Sequence, residues 1–162
     1  MTSAQLLAET FAYARTMTLQ YFEKLKEKDI YKEFEVDGKK LNSAYWIIGH
    51  LPVTQNYLLL RSTGGEIVRF GWAKPFGIGG SLPPIEERIS LDEIFATMKE
   101  VHDKSLAHIA SLTDEQLGLP NTGGMKFGDG SMRALIQHAI WHEGTHAGHL
   151  GWLCKLHGVK TV

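Results

Sequence analysis

The chain has 162 residues, of which 43% are hydrophobic and 22% charged, with a formal net charge of −1. This length and balance fit one domain (residues 1–162) with a substantial core and exclude a disordered chain, while the lack of a basic face excludes the footprint of a nucleic-acid binder. One cysteine (Cys154), no run near the roughly 20 apolar residues of a membrane span, and no cationic leader before an apolar run together predict a cytoplasmic protein off the membrane.

Residues 3–27 place Leu7, Phe11, Ala14, Tyr21, Phe22 and Leu25 at three- and four-residue steps, which predicts a long amphipathic helix. Asp37-Gly38 marks a turn, and Asn42 is positioned to cap a second helix over about 43–62, with Trp46, Ile47, His50, Val53 and Tyr57 on one face. Pro52 removes a backbone bond inside that helix, so a kink is expected beside His50. Residues 63–89 hold six glycines and three prolines and read as a long crossover loop. Ser90 to Glu93 form a capping-box pattern that opens a third helix, with Ile94, Phe95, Met98, Val101, His102 and Ile109 on its stripe. Thr113 to Gln116 read as a turn, residues 118–130 as a glycine-rich loop, and Ser131 as the cap of a last helix ending at Leu156 or His157 before Gly158. No segment alternates convincingly as a strand. The expected fold is all-α, a four-helix bundle with a long crossover between helices 2 and 3.

The last helix carries the chemistry. At 100° per residue, His138, His142, His146 and His149 share one face. Histidines four apart can share an ion at Zn–N distances of about 2.0–2.1 Å, whereas those eight apart are separated by about 12 Å of rise. The face thus offers His138/His142, His142/His146 or His146/His149. His142-Glu143-Gly144-Thr145-His146 has the His-Glu-X-X-His spacing of zinc peptidases, but the sixteen residues after His146 contain no acidic ligand. The metzincin extension fails too, since His149 and Trp152 stand where its glycine and third histidine belong. With no upstream strand to hold an extended peptide, the peptidase reading is excluded. A third ligand must come from upstream. His50, on the apolar face of helix 2, is the leading choice because a buried neutral imidazole needs partners for both ring nitrogens. His102 is the runner-up, and His108 reads as structural or solvated.

Gly49-His50-Leu51 on helix 2, the long crossover, the His-Glu-X-X-His-X-Gly run at 142–148 and the Leu153 to Gly158 tail resemble the DinB-like (DinB/YfiT) superfamily over nearly the whole chain. The resemblance implies a four-helix bundle, often a homodimer, that binds one divalent ion through His50, His142 and His146. It also implies a transferase or isomerase acting with a low-molecular-weight thiol on a small-molecule substrate. Three imidazoles leave a coordination position open, the mark of a catalytic site, and both zinc and nickel suit them. The alternatives are a metal-dependent hydrolase using hydroxide and a non-catalytic protein in which the ion staples helix 2 to the last helix. Glu143 lies 100° round from His142, so it reads as a base or as an orienting partner for a histidine rather than a ligand. His138 and His149 read as lining groups or ordinary packing. Cys154 reads as a buried small hydrophobe, and Trp141 and Trp152 as core or interface. The aromatic loop Phe70 to Gly80 reads as core or interface packing, with a cover over the site mouth as its other use.

Overall fold

A computed structural model describes residues 1–161. The fold is all-α, built on helices α1 (Ser3–Leu25), α2 (Ala44–Gln55), α3 (Leu91–Ser111), α4 (Asp114–Gly118) and α5 (Met132–Leu156). α1 packs along α5 and α3, and α2 packs against α3 and α5.

Side-chain caps set the helix starts. Thr2 and Gln5 close a reciprocal capping box on α1, and the Ser90 and Ser131 hydroxyls accept from the N–H groups of Glu93 and Ala134. α2 starts one residue later than expected, because Ser43 rather than Asn42 accepts the Trp46 N–H. Thr113 and Gln116, expected to form a turn, instead make a second full capping box that opens the five-residue α4. Asp37 and Gly38, both at positive φ, turn a small hairpin in which β1 (Glu35–Val36) pairs antiparallel with β2 (Lys39–Lys40). That ladder is a strand pair which the sequence pattern does not predict.

α2 continues through His50 and past Pro52, which lacks the N–H for one bond of the ladder, and Asn56–Leu60 then winds as a π-helical turn before Gly64 ends the segment at φ +83°. α2 is also more deeply placed than a one-sided stripe implies. Every residue from Ser43 to Pro52 is buried, enclosed by α3, α5 and the crossover.

The core has two main apolar blocks. One gathers Phe22, Ile47, Ile48, Leu51, Ile94 and Leu150, the other Phe11, Leu58, Ile109, Leu117, Leu135 and Ile136. Between them each long helix carries polar side chains: Arg15 and Thr18 on α1, His50 and Gln55 on α2, His102 and Ser105 on α3, and His142, Glu143 and His146 on α5. A polar layer thus crosses the middle of the protein.

Candidate metal centre

His142 and His146 lie one turn apart on α5, and α2 brings His50 against them. One ring nitrogen from each falls within 4.8 Å of the others. His50 Nε2 is 3.2 Å from His142 Nε2. Two ligands at tetrahedral angles around an ion, each about 2.05 Å from it, would stand about 3.3 Å apart, so this separation matches a shared ion. The donor set fits a divalent metal.

The crossover fixes the orientation of His50. Its Nδ1 lies 2.7 Å from the Phe76 carbonyl. A carbonyl only accepts, so Nδ1 carries the proton and Nε2 presents its lone pair towards the centre, with the Thr54 hydroxyl 3.1 Å from it. Trp46 stacks on the His50 ring at 4.6 Å and donates through Nε1 to the Pro75 carbonyl, which ties the same loop down beside it. Gly49 makes this approach possible: a Cβ there would come 2.3 Å from the Phe76 ring. The Gly-His-Leu pattern therefore has a mechanical basis, since only a residue without a side chain lets Phe76 reach His50.

Burial keeps all three imidazoles neutral. It pushes His50 below the ordinary histidine value, His142 to about 4 with help from His50, and His146 to about 3 with help from His142. Neutral imidazoles offer lone pairs to a metal at pH 7.

The remaining histidines separate from this centre. His102, the runner-up, belongs to a different network: its Nδ1 faces Gln55 Nε2 at 3.5 Å, and burial followed by the Arg15 charge brings it to about 4. His108 Nε2 lies 2.9 Å from the Thr63 hydroxyl and has a structural role. His149 is exposed, with Nδ1 3.4 Å from His146 Nδ1. His138 stacks face to face on Phe127 at 3.5 Å.

Glu143 is 1% exposed and turned towards α1. Arg15 Nε and Nη2 donate to its two carboxylate oxygens at 2.7 and 3.0 Å, and the Thr18 hydroxyl adds a bond of 2.7 Å. Arg15 Nη2 also donates to Gln55 Oε1 at 2.8 Å. Burial alone would raise the Glu143 carboxyl, but the Arg15 charge and these hydrogen bonds hold it below its ordinary value. No hydrogen bond joins Glu143 to a histidine among the described residues. Sequence reasoning missed Arg15, Thr18 and Gln55. The signal was present on α1, whose buried positions 4, 8, 11, 15, 18, 22 and 25 run straight through Arg15 and Thr18.

A cavity of about 430 Å³ opens beside the centre, with His50 and His142 in its wall. The crossover serves both expected uses: Phe76 is in the core, while Gly77 and Ile78 line this cavity. Trp141 and Trp152, in contrast, are 63% and 64% exposed and are not core residues. The Cys154 thiol is buried, which raises its pKa, and lies 3.5 Å from the Tyr21 carbonyl. No helix among the described residues is long and apolar enough to cross a membrane.

No curated protein matches the chain. The family model of the DinB superfamily matches residues 10–150, a span that takes in α2 with His50, the crossover and the histidine face of α5. The chain belongs to the DinB superfamily.

Proposed function

We propose that this protein is a metal-dependent enzyme that transfers a low-molecular-weight thiol to an electrophilic small molecule, using one zinc or nickel ion held by His50, His142 and His146. The observation that carries it is the convergence of three neutral imidazole nitrogens within 4.8 Å, with two of the rings, His50 and His142, in the wall of a substrate-sized cavity. A divalent ion there supplies Lewis acidity and lowers the pKa of a coordinated thiol. Three neutral ligands leave the charge of such an ion uncompensated, which favours an anionic partner such as a thiolate. His50, oriented by the Phe76 carbonyl, and the α5 pair fix the position of the reacting group. Both oxygens of Glu143 are engaged by Arg15 and Thr18, so its role is that of a fixed anion that aligns α5, not of a proton acceptor. In architecture the proposal is a four-helix bundle of α1, α2, α3 and α5. It forms a homodimer through the exposed side of α5, where Trp141 and Trp152 flank the open Gly144 and Gly148.

Metal analysis and turnover test this together. Purified protein should hold about one ion per chain, and His50→Ala, His142→Ala or His146→Ala should each remove most of it, while His102→Ala keeps it. An empty site in His102→Ala with a full one in His50→Ala would overturn the ligand set. Added thiol should accelerate loss of 1-chloro-2,4-dinitrobenzene, and chelation should stop it. Ester hydrolysis that thiols inhibit, with no transfer product, would replace the transferase with a hydrolase.

A further inference from the structure

The walls of the 430 Å³ cavity say what kind of molecule it takes. Its lining includes no lysine, arginine, aspartate or glutamate. Val53, Leu58, Ile78, Met125 and Phe127 make most of the surface apolar. A carboxylate or sulfonate seated away from the histidine centre would lose its water with no cation to replace it. His138 also lines the cavity, its ring covered on one face by Phe127 at 3.5 Å. Burial lowers its pKa below the ordinary histidine value, which favours the uncharged ring that can share a hydrogen bond with a neutral group. His138 precedes His142 by one turn of α5, about 6 Å of rise. That is the span of one substituted aromatic ring.

We propose that the cavity binds an uncharged aromatic molecule carrying one neutral polar group, with that group hydrogen-bonded to His138 and its reacting end at His50 and His142. This rests on the proposed enzyme for its reacting end, and it names the class of electrophile. It also assigns direction: a thiol bearing carboxylates reaches the centre from outside this cavity, because nothing in the apolar wall compensates its charge.

The test is a binding titration of purified metal-loaded protein with 1-naphthol and with 1-naphthalenesulfonate, which share a ring system and differ in charge. Naphthol should bind at least tenfold more tightly than the sulfonate, and should keep that preference after the ion is stripped. Val53→Trp fills the cavity and should abolish naphthol binding while about one ion per chain remains. His138→Phe should weaken naphthol at least threefold and leave unsubstituted naphthalene unchanged. Ile78 is 93% exposed, so Ile78→Lys is tolerated and should raise sulfonate affinity at the mouth. Equal or tighter binding of the sulfonate to unaltered protein, or naphthol binding indifferent to Val53→Trp or to His138→Phe, would overturn the proposal. The two ideas fail separately: a protein that binds naphthol selectively but never holds an ion defeats the metal enzyme alone, and a metal-loaded protein that ignores naphthol defeats the cavity assignment alone.

Discussion

Replacing Arg15 by methionine removes the partner of a buried anion and keeps most of the side-chain volume. Arg15 and Glu143 side chains are 3% and 2% exposed, and their contact is two-pronged. After the change Glu143 keeps only the Thr18 hydroxyl, and Gln55 Oε1 loses its donor. Breaking one side of such a pair costs about 3–5 kcal/mol, against a total stability of about 5–15 kcal/mol for a domain. At about 2–4 °C per kcal/mol for a chain this long, the melting temperature should fall by roughly 6–20 °C. Removing both charges in Arg15→Met/Glu143→Met should recover much of the loss, because an apolar replacement of a buried pair is often close to neutral. The pH dependence changes sign as well. In the native protein Glu143 is held low, so its contribution is present above the unfolded carboxylate value and is lost as pH falls through the folded one. Without Arg15, burial raises the folded value, and the deficit should shrink as pH drops towards the unfolded value of about 4.3. Urea unfolding of the metal-free variants at pH 7 and pH 5 reads both effects. A single variant within about 0.5 kcal/mol of an exposed control such as Lys99→Met, or a double variant no better than the single one, would refute the reasoning.

Gly49→Ala should push Phe76 away from α2 and release the His50 hydrogen bond, lowering metal affinity about 10–100-fold; competition with a chromophoric chelator measures it, and unchanged affinity would show that Phe76 does not orient His50. The metal-free protein should lose stability as pH falls from about 6.5 towards 4. Its folded state keeps His142 and His102 neutral down to about 4 and His146 to about 3, while the unfolded chain takes up protons. Each histidine adds a slope of about 1.4 kcal/mol per pH unit in that window, and a flat series of urea midpoints would contradict it. Sedimentation should show a dimer that Trp141→Glu with Trp152→Glu converts to monomer; a monomeric parent protein would remove the α5 face from the proposal.

Much of the centre is legible in the sequence because helical spacing is local information. His142 and His146 share a face at any level of packing, and His50 stands out as an imidazole in an apolar run. Helix starts are legible at Ser90 and Ser131 for the same reason. Thr113-X-X-Gln116 carries an equally local signal, the same capping pattern as at Ser90, and opens α4 rather than a turn. Other parts have no local signature. The acceptor for His50 is a backbone carbonyl, which any residue at position 76 would supply, and its approach depends on what Gly49 lacks. The partner of Glu143 is 128 positions away on α1, so the His-Glu-X-X-His pattern alone points to a base or a histidine partner where the fold makes an ion pair. The π-helical turn at Asn56–Leu60 that follows α2 likewise has no signature in its own residues.

The polar layer between the two apolar blocks also works as an alignment key. Apolar helices packed side by side tolerate sliding, since one leucine replaces another at little cost. Here a slip of one turn, about 5.4 Å, would carry Arg15 towards a block built from Phe22 and Leu150 or towards one built from Phe11 and Leu135, leaving its charge and that of Glu143 without partners. Each long helix carries members of the same layer, so the vertical positions of all four are fixed against one another. The register that brings His50 level with His142 and His146 is thereby enforced before any ion arrives.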